Sequence, residues 1–186
     1  TLSFDMSVYE LFVPLSVGAT VVIAGTQDTT DGSVLADLIE KHNINIIQAT
    51  PSFWNILLSA GWKGKNDLKA LCGGEPLTYS LIRQILPKVK EFWNCYGPTE
   101  TTVYSTCIRV VDEQGPIVIG KPINNTSILI LDRNNQLIPV GATGEVVIGG
   151  LGVTKGYHNR PELTAEKFIS IGGEIYYRTG DMGRFH

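Results

Sequence analysis

The sequence lacks the features of a nucleic-acid-binding, membrane-bound or disulfide-rich protein. Charged residues make up only 18% of the chain and the net charge is −3, so there is no basic surface for nucleic acid or an anionic membrane. No apolar run approaches the roughly 20 residues that cross a bilayer, and no export signal is visible at the start. We therefore expect a cytoplasmic protein without nucleic-acid or membrane partners.

Cysteine and histidine are equally sparse. The three cysteines, Cys72, Cys95 and Cys107, are odd in number and widely spaced, which predicts reduced thiols and no disulfide framework or zinc site. The three histidines are scattered and do not cluster with the cysteines. What the chain does contain is 43% apolar residues over 186 positions, enough for one substantial core or two small ones.

The densest group of chemically useful residues spans 94–102, Asn-Cys-Tyr-Gly-Pro-Thr-Glu-Thr-Thr. Tyr96 offers a flat face for a base, and Gly97 with the proline after it sets a tight turn. The threonine hydroxyls, Thr99 among them, can donate to phosphate oxygens. Glu100 is a hard oxygen ligand that can hold Mg²⁺ against those phosphates. The stretch predicts a nucleotide site, with a hydrophilic turn after a buried strand as the alternative.

The first 107 residues alternate strand and helix patterns. Apolar strands are expected at residues 20–24, 44–48, 70–72 and 89–94. Helices are expected to start at Ser7, Ser33, Pro51 and Thr78. This alternation indicates a flavodoxin-like α/β subdomain over residues 1–107, with a parallel sheet and helices on both faces. The carboxyl ends of parallel strands share one edge, so the loops at Gln48, Gly73 and Cys95 are expected to form one crevice.

From residue 108 onward the pattern changes to short strands with one helical stretch at residues 161–168. The expected strands are residues 127–132, 145–148 and 176–177. This pattern predicts a small β-barrel-like module over residues 108–186. Residues 149–152, Gly-Gly-Leu-Gly, lack the spacing and the following helix of a dinucleotide-binding fingerprint, so we expect a mobile loop there.

Four segments together resemble the amino-acid adenylation domains of nonribosomal peptide synthetases, within the adenylate-forming family that includes acyl-CoA synthetases and luciferases. The segments are residues 3–10, 94–100, 144–168 and 177–181. The resemblance implies that an amino-acid carboxylate attacks the α-phosphate of ATP, giving aminoacyl-AMP and pyrophosphate. It also implies transfer of the acyl group to a phosphopantetheine thiol on a peptidyl carrier domain.

The resemblance gives Asp5 the role of pairing with the α-ammonium group of the amino acid. Such a pair about 4 Å apart is worth on the order of 4 kcal/mol at an effective dielectric near 20, enough to favour amino acids over plain carboxylic acids. The alternative is that Asp5 caps a helix, which is worth about 1 kcal/mol. Ser7 is available for that capping role, which leaves the Asp5 carboxylate for the substrate.

The resemblance also implies a nucleotide site made of Gly73, Gly74, Glu75, Asn94, Tyr96, Gly97, Thr99 and Asp181. Its glycine turn flanks the adenine, because residues without side chains allow close approach. Asn94 bonds the base edge while Tyr96 stacks on its face. Thr99 and Glu100 are the implied catalytic residues, contacting the α-phosphate and Mg²⁺. Asp181 accepts hydrogen bonds from both ribose hydroxyls.

The implied amino-acid pocket consists of Asp5, Met6, Tyr9, Gln48, Leu71, Gly73, Cys95, Val103 and Tyr104. It contains no acid beyond Asp5 and no lysine or arginine, so a charged substrate side chain would lack a counter-charge. We therefore expect a small or medium neutral amino acid. Ordinary core or loop packing is the alternative for each pocket residue.

The resemblance places two functional parts of the family outside these residues, namely the phosphate loop with its lysine and the C-terminal subdomain with its lysine. We expect these missing parts to be partners of the chain. The 186 residues are then an internal fragment that binds nucleotide weakly and does not turn over alone. Two alternatives stay open: an acyl- or aryl-CoA synthetase of the same family, and a non-catalytic excised substrate-binding subdomain.

Overall fold

The computed structural model describes residues 2–26 and 28–186, and the chain divides into two compact units. The first unit comprises the chain up to Tyr96 together with Thr106–Lys121, and the second comprises Gly97–Ser105 and Pro122–His186. The predicted division into domains 1–107 and 108–186 stays a prediction. Within the described ranges, no helix has both the length and the apolar character needed to cross a membrane.

The first unit is built on a sheet with the strand order β1-β2-β3-β4-β5. The strands are β1 (Ile46–Ala49), β2 (Lys65–Cys72), β3 (Val89–Tyr96), β4 (Thr106–Val110) and β5 (Lys121–Pro122). The helices are α1 (Met6–Ser16), α2 (Gly32–Lys41), α3 (Pro51–Ser59) and α4 (Tyr79–Ile85). Strands β1, β2 and β3 run parallel, and β4 runs antiparallel to β3. The predicted α/β class with a parallel sheet and flanking helices is confirmed.

Local sequence signals mark the starts of two helices, as predicted. Thr50 caps α3 by accepting a hydrogen bond from the amide of Phe53, and a proline occupies the first turn. Thr78 caps α4 by accepting from the amide of Leu81. The core between helices and sheet consists of fully buried side chains, including Trp54, Leu57, Leu68, Ile85 and Phe92.

Three predictions about local structure in this unit are wrong. Residues 20–24 do not form a strand; Ile23 is 81% exposed, and no described strand pairs with this segment, so an apolar run has no ladder to join. Asp31, not Ser33, caps α2 and accepts from the amide of Ser33 at 2.9 Å. Helix α1 begins one residue before Ser7, with Asp5 at the N-cap position.

The second unit is rich in β structure, as predicted, and its strands form an antiparallel sheet with the order β6-β7-β9-β8. The strands are β6 (Thr126–Leu131), β7 (Gly144–Gly150), β8 (Phe168–Ile171) and β9 (Glu174–Gly183), and the helix is α5 (Pro161–Lys167). Gly149 and Gly150 belong to β7, so the prediction of a mobile loop is wrong for these two residues. Buried Leu131, Val147 and Ile148 form the core of this sheet.

Candidate active site

Three predicted pocket residues of the first unit, Gln48, Leu71 and Gly73, lie at or just after the carboxyl ends of β1 and β2. Gln48 on β1 lies opposite Leu71 on β2, and the next residue pair along β2 and β3 joins Cys72 to Asn94. The Gly73 amide continues this ladder by donating to the carbonyl of Ala49 at 3.3 Å. The carboxyl ends of these strands therefore meet at one edge of the sheet, where parallel sheets collect their binding sites.

Helix α1 brings further predicted pocket residues to this edge. Met6 is 5% exposed, and its terminal methyl lies 3.8 Å from the position that a Cβ on Gly74 would take. Burial raises the pKa of Tyr9, and the nearby thiols of Cys95 and Cys107 raise it further. Asp5 stands at the N-cap position of the same helix, but its side chain makes no capping hydrogen bond.

The two glycines of the predicted adenine turn, Gly73 and Gly74, are followed by an anchored carboxylate. Gly74 has φ +83°, a left-handed conformation that favours glycine. The Glu75 carboxylate accepts hydrogen bonds from the hydroxyl of Ser52 at 2.6 Å and from its amide at 3.1 Å. These bonds, the hydroxyl first, lower the pKa of Glu75 despite the opposing effect of burial. The turn is thereby tied to the start of α3.

Asn94 is buried, and its side-chain amide donates to the carbonyl of Val118 at 2.9 Å. One donor of the Asn94 side chain is therefore used within the protein and not for a ligand, which the sequence did not indicate. Beside it, Cys95 lies directly opposite Cys107, with the sulfur atoms 2.9 Å apart. The hydrogen bond to Cys107 and burial raise the pKa of Cys95, so its thiol stays protonated and both cysteines are free.

The predicted phosphate-contacting turn opens the second unit and folds back on itself. Thr99–Thr101 form one turn of 3-10 helix. Thr102 and Val103 follow with φ of +63° and +66°, which is rare for residues other than glycine and strained for a β-branched side chain. A Cβ on Gly97 would lie 2.6 Å from the carbonyl oxygen of Val103, so only glycine fits there. Such strain is typical of functional sites.

The Thr102–Tyr104 segment is fixed by contacts within its own unit. The hydroxyl of Thr102 donates to the carbonyl of Gly152 at 2.6 Å. The hydroxyls of Thr101 and Ser105 are hydrogen-bonded at 2.6 Å, and the side chains of both are buried. Val103 and Tyr104 are themselves buried, at 6% and 5% exposure.

The Glu100 carboxylate is held by a residue that the sequence did not single out. The phenol of Tyr157 donates to its Oε1 at 2.5 Å. The backbone carbonyl of Glu100 accepts from the amide of Thr154 at 2.9 Å. Burial, followed by the hydrogen bond to Glu100, raises the pKa of Tyr157. The one available signal was the Lys155-Gly156-Tyr157 stretch inside the third segment of the resemblance.

Glu100 fits the kind of magnesium site that nucleotide-using enzymes employ. In the described ranges, no three His, Cys, Asp or Glu side chains are grouped closely enough to cage a metal ion. Mg²⁺ in such enzymes is instead held by one or two carboxylates together with the substrate phosphates. The Glu100 side chain is partly exposed on a turn, which suits this arrangement. Asp181, the predicted ribose ligand, is exposed on β9 of the same unit.

The comparisons with known proteins agree on one family. A family model described as AMP-binding enzyme matches residues 1–158. The chain is 40% identical to the PKS-NRPS hybrid synthetase acdB of Aspergillus candidus, over 98% of this chain and 7% of that protein. It is also 40% identical to a dimodular nonribosomal peptide synthase of Bacillus subtilis (strain 168), over 100% of this chain and 8% of that protein.

A solved structure matches the whole fold. The crystal structure of a holo four-domain nonribosomal peptide synthetase bound to AMP and glycine superposes with a TM-score of 0.95 at 41% identity, covering 100% of this chain and 14% of the other. The chain therefore spans only a small part of the relatives it matches. The resemblance to nonribosomal peptide synthetases seen in the sequence is confirmed. Since the family model covers most of its length, the chain belongs to the AMP-binding enzyme family.

Proposed function

We propose that the chain is part of an ATP-dependent adenylation domain that activates an amino acid for nonribosomal peptide synthesis. The observation that carries this proposal is the match over the full chain, at a TM-score of 0.95, to a synthetase bound to AMP and glycine. The products are aminoacyl-AMP and pyrophosphate. The acyl group then passes to a phosphopantetheine thiol on a peptidyl carrier domain.

The amino acid is bound by residues of the first unit. Asp5 pairs with the α-ammonium group, and it precedes Met6, a buried residue of the same proposed pocket. Such a pair contributes on the order of 4 kcal/mol at an effective dielectric near 20. The remaining pocket residues are Met6, Tyr9, Gln48, Leu71, Gly73 and Cys95. They carry no formal charge at neutral pH, because phenols and thiols are ordinarily protonated there and the surroundings raise the pKa of both Tyr9 and Cys95 further, so a neutral side chain fits.

The nucleotide is held by backbone and side-chain groups of the proposed site. These are the turn Gly73, Gly74 and Glu75 beside the adenine, and Asn94, Tyr96, Gly97, Thr99 and Asp181. Thr99 contacts the α-phosphate, and Glu100 supplies a carboxylate oxygen to Mg²⁺. When bound, Mg²⁺ neutralises the charge of the phosphates. The chain's own contribution is to align the substrate carboxylate with the α-phosphate, so no protein nucleophile is required.

Amino-acid-dependent exchange of pyrophosphate into ATP tests this function on the full-length protein. The panel contains small and medium neutral amino acids, each paired with the carboxylic acid that lacks its α-amino group. We expect exchange with at least one neutral amino acid and none with its deaminated partner. Exchange with carboxylic acids alone would indicate an acyl- or aryl-activating enzyme, and no exchange with any compound would indicate a non-catalytic unit.

A further inference from the structure

We propose that Tyr157 is a positioning residue that fixes the Glu100 carboxylate for metal binding. The inference rests on the proposed function, in which Glu100 is a ligand of Mg²⁺. It adds a residue to the site from a loop that lies 57 positions further along the chain, since the Tyr157 phenol donates to Glu100 Oε1 at 2.5 Å. Both residues belong to the second unit.

Glu100 is held at two points from the same loop. Its backbone carbonyl accepts from the Thr154 amide at 2.9 Å, and its carboxylate accepts from Tyr157, three residues further on. The backbone bond fixes where the residue lies, and the phenol fixes how the side chain is turned. A glutamate side chain that must order itself on binding loses rotamer freedom. The phenol has already imposed that order.

Tyr157 is itself held in place from two sides. Its amide donates to the hydroxyl of Thr164 on α5 at 2.9 Å. Its ring meets the ring of Phe168 edge to face, with centroids 5.8 Å apart. The neighbouring Gly156 has φ +112°, and a Cβ there would lie 2.3 Å from the Thr164 side chain, so the loop can approach α5 only with glycine. The phenol oxygen is thus presented by a rigid support.

A neutral phenol suits this task. It donates one hydrogen bond to one carboxylate oxygen without cancelling the negative charge that attracts a cation. Hydrogen-bonded partners of this kind orient metal ligands, and their removal costs about 10–100-fold in metal affinity or activity. If Tyr157 only filled space, phenylalanine would replace it with no effect on the metal.

The test compares Tyr157→Phe with Tyr176→Phe in the full-length protein. Tyr176 also lies in the second unit, where its phenol accepts from the hydroxyl of Ser127 at 3.3 Å, and it has no role in the proposed site. The readout is the affinity for Mn²⁺, measured by electron paramagnetic resonance with a non-hydrolysable ATP analogue. We expect Tyr157→Phe to weaken Mn²⁺ binding by about tenfold, with unchanged KM for the amino acid. Tyr176→Phe should bind Mn²⁺ like the unaltered protein.

A double-mutant cycle with Glu100→Gln separates positioning from a structural effect. If Tyr157 acts through Glu100, adding Tyr157→Phe to Glu100→Gln should change Mn²⁺ affinity by less than about twofold. Two results would overturn the positioning role alone. One is that Tyr157→Phe lowers Mn²⁺ affinity equally with and without Glu100→Gln. The other is that Tyr157→Phe leaves Mn²⁺ affinity unchanged while Glu100→Gln weakens it. Unaltered Mn²⁺ affinity in Glu100→Gln would overturn the role of Glu100 as ligand and this inference with it.

Discussion

Three carboxylates of this protein, those of Glu75, Glu100 and Asp5, differ in their local surroundings. Glu75 has a structural role, because the hydroxyl and the amide of Ser52 both donate hydrogen bonds to its carboxylate. Glu100 accepts a hydrogen bond from the phenol of Tyr157 and lies on a partly exposed turn. Asp5 stands at a helix N-cap without making the capping bond. Residue type alone does not distinguish Glu75 from Glu100; their hydrogen-bond partners do.

Replacing Ser52 with alanine should raise the pKa of Glu75 towards its ordinary value of 4.5. The folded pKa is depressed, so the stability from this contact is present above that value and is lost as pH falls through the folded pKa. The stability difference between the unaltered protein and Ser52→Ala should therefore be largest at neutral pH and shrink in acid. Glu75 is exposed, so we expect less than about 1 kcal/mol.

Carboxyl-carbon NMR titration of Glu75 measures this pKa, and denaturant unfolding from pH 3 to pH 7 measures the stability. Ser59→Ala, at the other end of α3, is the matched control and should leave the Glu75 titration unchanged. A Glu75 pKa that does not move in Ser52→Ala would contradict the hydrogen-bond account.

The sequence predicted some site residues but not the residues that hydrogen-bond to them, because those partners are distant in sequence. The Asn94–Val118 and Glu100–Tyr157 hydrogen bonds join residues 24 and 57 positions apart. No local pattern encodes such pairs. The Tyr96–Glu100 stretch was recognisable because its residue types are adjacent in sequence and suit a nucleotide, whereas Tyr157 carried no chemical signal of its own.

At the scale of elements, α2 and α3 pack unusually closely at Gly32. A Cβ at this position would lie 2.5 Å from the carbonyl oxygen of Ile56 and 2.7 Å from the Cβ of Ala60. Ile56 lies on α3 and Ala60 caps its C-terminal end, and Gly32 is buried. The first turn of α2 therefore requires glycine for packing, although glycine is a poor helix former.

Gly32→Ala should destabilise the protein by about 1–3 kcal/mol, because the added methyl pushes the two helices apart. The gain in helix propensity, about 1 kcal/mol, opposes this cost and does not cancel it. Thermal or denaturant unfolding measures the change. Gly115→Ala is the control, since a Cβ there meets nothing closer than 3.9 Å. An equally stable or more stable Gly32→Ala variant would show that the helices separate at no cost.

Elements with strong local signals were predicted well, and elements that depend on a partner were not. Proline and threonine at the starts of α3 and α4 marked those helices correctly. The apolar residues 20–24 looked like a strand, yet a strand exists only where a neighbour completes its ladder, and none of the described strands does so. Strand β4 was not predicted, because it is defined by its antiparallel pairing with β3 and not by a local pattern of its own.

At the scale of the whole molecule, the chain forms two compact units. Its similarity to synthetases extends over 98–100% of its length but covers only 7–8% of the two relatives named above. The family and the α/β class were predictable from four sequence segments. The identity of the amino acid was not, because it depends on the shape of a pocket and not on a motif.

The most direct measurement of the central claim is the selectivity for an amino acid over its deaminated analogue, before and after Asp5→Asn. It is taken as the ratio of kcat/KM values in pyrophosphate exchange by the full-length protein. The asparagine keeps the size of the side chain and removes the charge. An ion pair of about 4 kcal/mol predicts that this ratio falls by up to about a thousandfold in Asp5→Asn. An unchanged ratio would show that Asp5 does not bind the ammonium group and would contradict the account.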